Sequence, residues 1–167
     1  MILDGGDADV GIESTIVAFR GETPMLLRPG AIGVSALTQI LGRAPEGASD
    51  DAPRASGTLA SHYAPRTAAS LVSRAGLRAE LAQLTDRDEQ VAVLARGAVA
   101  PDEFDGIWID APVDLAAYAH DLYANLRSLD AAHADAILIE DVPDTAEWMA
   151  VRDRLVRATQ GLHDDLD

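Results

Sequence analysis

Residues 43–66 divide the chain. Across that span Pro45, Gly47, Pro53, Gly57 and Pro65 interrupt every run, and neither the strand period nor the helix period is sustained. A connection of roughly 20 residues without secondary structure is uncommon inside a compact domain, so the span reads as an interdomain linker or as a functional lid. Its last part, Arg54-Ala55-Ser56-Gly57-Thr58-Leu59-Ala60-Ser61-His62-Tyr63-Ala64-Pro65, is chemically dense for a passive connector, and Pro65 holds the residue before it extended. The two flanks therefore have to be read separately.

On the amino side, residues 14–19 alternate and are rich in β-branched side chains, Gly21-Glu22 is a turn signal, and residues 25–28 form a second strand, which predicts a hairpin stopped by Pro29-Gly30. Ser35 is positioned to cap a short helix over 36–41, with Gly42 to end it. On the carboxyl side strands and helices alternate: strand 69–72, helix 75–84, strands 90–95 and 106–110, then a long helix on which Leu115, Ala119, Leu122, Leu126 and Leu129 share a face after the cap Asp114. A short apolar strand at 136–140 precedes a last helix over 146–158, capped by Asp144 or Thr145 and carrying Trp148, Val151 and Leu155 on one face. This alternation predicts a three-layer α/β unit with a mostly parallel sheet.

Charge narrows the chemistry. The net charge is −15, of which the first 66 residues carry −3 and the remainder −12, a surface that repels phosphate backbones and excludes a sequence-independent nucleic-acid binder. No cysteine is present, so disulfides, thiolate catalysis and zinc–cysteine sites are excluded. All 13 basic residues are arginine, which leaves guanidinium as the cation for binding anions and removes any Schiff-base lysine. No apolar run reaches the length of a membrane span and no secretory pattern opens the chain, so the expected location is the cytoplasm.

Two positions are candidates for binding an anion. Glu13-Ser14-Thr15 lies where a glycine-bearing loop enters a strand, so hydroxyls and free N–H groups there can hold a carboxylate or phosphate; a plain strand start is the simpler reading. Arg28, at a strand end before Pro29-Gly30, offers a fork-shaped cation suited to phosphate, against the simpler reading of a solvated terminal arginine. Asp4, Asp7 and Asp9 lack the glutamate that a calcium loop requires, and no Gly-x-Ser-x-Gly elbow supports a serine hydrolase from Ser14, Ser56, Ser61 and His62. Tyr118 and Tyr123 flank the apolar stripe of the long helix and read as core-edge packing. The carboxyl-terminal glycines form no Gly-x-Gly-x-x-Gly, so that unit's pattern does not by itself license a nucleotide site.

Taken in order, Ile2-Leu3-Asp4-Gly5-Gly6 leading to Val10-Gly11-Ile12-Glu13-Ser14-Thr15-Ile16-Val17, then Leu27-Arg28-Pro29-Gly30-Ala31-Ile32, then Ser61-His62-Tyr63-Ala64-Pro65, resemble the two-domain form of L-threonylcarbamoyladenylate synthase. Leu122-Tyr123-Ala124-Asn125-Leu126-Arg127-Ser128-Leu129-Asp130 and Asp153-Arg154-Leu155-Val156-Arg157-Ala158 resemble that family's accessory domain. The resemblance implies residues 1–42 as the end of a YrdC-like α/β catalytic domain, 43–66 as linker or lid, and 67–167 as a small Rossmann-like accessory domain. It implies an enzyme joining L-threonine, bicarbonate and ATP, with magnesium, to give threonylcarbamoyl-AMP and pyrophosphate for modification of tRNA adenosine. Carried over, Ser14 belongs to the threonine site, and Arg28 and Tyr63 contact ATP. The family's catalytic domain begins well before Met1 and its earlier part brings a basic motif with a lysine, so the resemblance implies a carboxyl-terminal portion that is inactive or nearly so alone. The alternative is a regulatory or nucleotide-binding module acting with a separate catalytic chain.

Overall fold

The computed structural model describes residues 1, 3, 5–6, 8–49, 51–57 and 63–160. The described residues form two sheets. In the first, β1 (Ile16–Arg20) and β2 (Thr23–Arg28) make the expected antiparallel hairpin, closed by Gly21-Glu22 with Gly21 at φ 61°. That left-handed conformation is one that glycine adopts without steric cost. After α1 (Val34–Leu41) the chain returns as β3 (Glu46–Gly47), which pairs in parallel with β2 and was not foreseen inside the 43–66 stretch. The helix starts earlier than Ser35 would set it: extended Gly33 stands at the cap position with no side-chain cap, while Gly42 at φ 73° ends the helix as expected, its N–H bonded to the Thr38 carbonyl.

The second sheet is wholly parallel. Its four strands run in the order β4 (Ala69–Val72), β7 (Ala136–Glu140), β5 (Val91–Arg96), β6 (Ile107–Ala111). Both faces are covered, as a parallel sheet requires. On one side α3 (Leu115–Asp130) and α4 (Met149–Thr159) pack Leu122, Leu129, Val151 and Leu155 against Ile137, Ile139, Ala92 and Leu94. On the other, α2 (Leu77–Thr85) lays Leu77, Leu81 and Leu84 on Val91, Val93 and Leu138. The strands carry apolar residues on both faces because both are buried; β5 is buried from Val91 through Ala95.

The helix starts show what caps can and cannot dictate. Asp114 caps α3 as expected, its side chain accepting from the Ala117 N–H at 2.9 Å. At α4 neither Asp144 nor Thr145 is the cap. Residues 145–148 wind a tighter turn, with the Trp148 N–H on the Thr145 carbonyl, and Trp148 enters the helix in helical conformation without a side-chain cap. Burial of Trp148 and Val151 in the core, rather than a cap, sets that helix start. Tyr118 proves fully buried, 1% exposed, rather than at the core edge.

Candidate functional site

The site lies where the hairpin, the linker and the second sheet's helices meet. Arg28 ends β2 and is 7% exposed, so it is not a solvated terminal arginine. Its Nε and Nη2 donate to the Ser14 carbonyl at 3.1 and 2.9 Å, Nη2 also reaches the Ser14 hydroxyl at 3.4 Å, and Nη1 donates to the Ser56 carbonyl in the linker at 2.8 Å. A guanidinium has five N–H groups, so one Nη1 donor remains uncommitted among the described residues. Ser14 itself is exposed. Beside it, the Thr15 hydroxyl donates to the Ile32 carbonyl at 2.9 Å and accepts from the Ile32 N–H at 3.2 Å, fastening the turn after Arg28 to the start of β1. Gly30 lets the two segments touch: a Cβ there would lie 2.3 Å from the Thr15 nitrogen.

Tyr63 reaches the same place from the linker. Its backbone is left-handed, at φ 69°, which costs a non-glycine residue about 1–3 kcal/mol and persists only where surroundings enforce it. Here its hydroxyl donates to Glu13 Oε1, and its ring lies against Tyr123, with centroids 4.8 Å apart and planes tilted by 36°. Gly57 at φ 75° passes close by: a Cβ on it would sit 3.0 Å from Arg28 Nη1 and 3.3 Å from the Tyr63 hydroxyl. Ser14, Arg28 and Tyr63, picked from separate motifs, are thus brought together. Thr58, Ser61 and His62 lie outside the described residues, as do Asp4 and Asp7.

Glu13 is the hub of this junction. Besides Tyr63 it accepts at Oε2 from the Tyr123 hydroxyl at 2.8 Å and from Arg154 Nε at 3.2 Å. Burial alone would raise its pKa, but the hydrogen bonds from Tyr63 and Tyr123, with its own backbone and Arg154, outweigh that and hold the carboxyl at about 2. Burial, followed by the Glu13 contact, raises the pKa of both phenols, so all three groups stay in one protonation state near neutral pH. Sequence reasoning picked Glu13 only as a neighbour of Ser14 and read Tyr123 as packing. The one available signal was that Tyr123 and Arg154 both fall in the accessory-domain stretches that carry the resemblance.

Two concavities border the junction. A groove of about 450 Å³ is lined by Glu13, Tyr63, Pro65, Tyr123, Arg127 and Asp130. A second cleft, with about 410 Å³ of open space and Val10, Ile12, Leu26, Ile32, Leu115 and Met149 among its walls, lies between the hairpin and the first turns of α3 and α4. Of Ser14, Arg28 and Tyr63, Tyr63 alone lines one of these two concavities, the groove beside Glu13 and Tyr123. A second polar cluster sits at the carboxyl ends of the parallel strands. Buried Glu140 accepts from the Arg96 N–H at 2.8 Å and faces Arg74 Nε at 3.5 Å, Arg96 lies over Trp148, and the Tyr118 hydroxyl has no hydrogen-bond partner among the described residues. No three carboxylate or histidine side chains converge on a metal-sized site among the described residues. No described helix is long and apolar enough to cross a membrane.

Fold and site define an α/β protein in which a parallel-sheet unit is joined, through a linker, to a small β-rich wall, the wall bringing a hydroxyl and a guanidinium to the junction and the linker a phenol. A family model described as threonylcarbamoyl-AMP synthase, C-terminal domain, matches residues 32–160, and the chain belongs to that family. It is 29% identical over 169 residues to the threonylcarbamoyl-AMP synthase of Pyrococcus abyssi (strain GE5 / Orsay), covering 95% of this chain and 48% of that protein. It is 30% identical over 171 residues to that of Bacillus subtilis (strain 168), covering 96% and 49%. A crystal structure of P. abyssi Sua5 complexed with L-threonine superposes with a TM-score of 0.78 at 27% identity, covering 95% of this chain and 48% of that one. The chain therefore spans about half the length of these relatives and matches a C-terminal portion of them.

Proposed function

We propose that this chain is the C-terminal portion of a threonylcarbamoyl-AMP synthase, an enzyme that joins L-threonine, bicarbonate and ATP, releases pyrophosphate and supplies threonylcarbamoyl-AMP for tRNA modification in the cytoplasm. In this reading residues 1–42 are the end of a YrdC-like catalytic domain, 43–66 the linker or lid, and 67–167 the Rossmann-like accessory domain. The Ser14 hydroxyl faces the zwitterionic threonine, and Arg28 and Tyr63 face ATP. The observation that carries the proposal is the meeting of Ser14, Arg28 and Tyr63 at one junction, through the Arg28–Ser14 hydrogen bonds and the approach of Gly57 to both Arg28 and Tyr63.

Physical chemistry supports the roles. Arg28 keeps an uncommitted N–H, and moving residues 56–57 aside would free another for a phosphate oxygen. Tyr63 would leave Glu13 to reach the nucleotide, a lid motion of the kind that closes many active sites. Magnesium enters only as the companion of the ATP phosphates: the described residues supply no cage for it, so no step is assigned to it. Met25 is the one large apolar side chain of the first 66 residues that is buried, among the described residues, while Phe19 and Ile40 are 59% and 82% exposed. A wall with so little core of its own fits part of a larger domain, and on that ground the chain alone is expected to be inactive. The alternative, a regulatory or nucleotide-binding module serving a separate catalytic chain, would present itself as stable association with such a chain.

The test is made in cells depleted of their own synthase, with threonylcarbamoyladenosine in tRNA measured by mass spectrometry. The chain joined to the N-terminal half of a related synthase is expected to restore the modification, and the chain alone is not. Restoration by the chain alone, or failure of the joined protein when expressed and folded, would overturn the proposal.

A further inference from the structure

The two accessory-domain stretches singled out in the sequence have no part in the proposed chemistry, yet the fold brings both to the same point. From α3, Tyr123 donates to Glu13, and Asp130 Oδ1 accepts from the Thr67 N–H at 3.0 Å where the linker enters β4. From α4, Arg154 donates through Nε to Glu13 Oε2 at 3.2 Å and through Nη1 to the Pro29 carbonyl at 2.5 Å. Its remaining contacts are Asp153 Oδ2 at 3.2 Å and the Ala150 carbonyl at 3.4 Å, both on its own helix. Glu13 and Pro29 are the chain neighbours of Ser14 and Arg28.

We infer that Arg154 is a positioning residue for the substrate-facing wall: by holding Glu13 and the Pro29 carbonyl it fixes the two backbone segments that present Ser14 and Arg28. The inference rests on the proposed reaction for its kinetic consequence and on the geometry alone for its structural one. Three features set this arginine apart from an ordinary stabilising ion pair. It is 1% exposed, and taking a guanidinium out of water offsets much of the attraction to its partners. Its Nη2 is buried without a hydrogen-bond partner among the described residues, a cost that a purely stabilising contact would avoid. Finally, its two long-range acceptors are not neighbours in sequence but flank the two wall residues, so one planar fork sets their separation.

The accessory unit then does more than dock. It supplies the rigid backing against which a wall with almost no core of its own is aligned. Alignment of this kind acts on binding of both substrates and not on a reacting bond, because among the described residues Arg154 makes its hydrogen bonds to the neighbours of Ser14 and Arg28 and not to those two residues.

The experiment compares wild type with Arg154→Met, which keeps the volume, and Arg154→Lys, which keeps one donor, in the enzyme that includes residues 1–167. Steady-state kinetics are expected to show KM for threonine and ATP raised at least tenfold in Arg154→Met, kcat within threefold of wild type, and Arg154→Lys between the two. In parallel, amide hydrogen exchange in the 167-residue chain is expected to rise more than tenfold at residues 13–15 and 30–32 of Arg154→Met and to stay unchanged in β5 and β7. Unchanged KM with unchanged exchange would overturn the inference, as would a lowered melting temperature with KM unaltered. If the wild-type enzyme turns over no threonine, the proposed reaction fails while the exchange pattern still decides whether Arg154 orders the wall.

Discussion

Replacing Glu13 by glutamine isolates the charge at the centre of the junction while keeping its size. The carboxyl is held at about 2 against an ordinary 4.5, a difference worth at most about 3 kcal/mol at neutral pH and, after solvent screening of this part-exposed group, about 1–3 kcal/mol. Three donors, Tyr63, Tyr123 and Arg154, lose a charged acceptor, and Arg154 is left buried with Asp153 as its remaining carboxylate. Because the folded-state pKa lies below the unfolded one, the contribution is complete well above pH 4.5 and disappears as pH falls through 2. Urea unfolding of both proteins at several pH values checks this. Glu13→Gln is expected to be about 1–3 kcal/mol less stable at pH 7, roughly three-quarters of that difference at pH 4 and under half at pH 3. A difference that does not change with pH, or one below about 1 kcal/mol at pH 7, would refute the view that a charged Glu13 ties the parts together.

Two further substitutions probe the frame around the site. Tyr118→Phe removes a hydroxyl that is buried without a partner, so thermal denaturation is expected to show unchanged stability or a gain of about 1 kcal/mol, and a loss of that size would mean the hydroxyl is bonded. Gly11→Ala would put a Cβ 2.3 Å from the His120 Cα, at a backbone φ of 77°, so it is expected to lower stability by more than about 2 kcal/mol and raise proteolysis in residues 1–42; wild-type resistance would show that the hairpin does not rest on α3.

Local pattern carried most of the fold. Strands at 69–72 and 136–140 were legible to the residue because each is a short apolar run between turn signals, and Asp114 was legible as a cap because its bond to Ala117 spans three residues. The starts of α1 and α4 were not, since tertiary burial of Trp148 and the extended backbone of Gly33 overrode the polar residues nearby. β3 escaped because two residues joining a sheet edge leave no period to read. Ser14, Arg28 and Tyr63 could be named from their motifs. Their common support could not, because Glu13 meets Tyr123 and Arg154 across 110 and 141 residues of chain, a separation at which no spacing rule speaks.

The most direct test of the account is threonine-dependent pyrophosphate release from ATP and bicarbonate, measured on the purified 167-residue chain and on the same chain completed by the N-terminal half of a related synthase. The completed enzyme is expected to release pyrophosphate, with activity lost on removing the Arg28 guanidinium, and the chain alone to release none above background. Release by the chain alone at a rate near that of complete synthases, or a completed enzyme indifferent to Arg28→Ala, would contradict it.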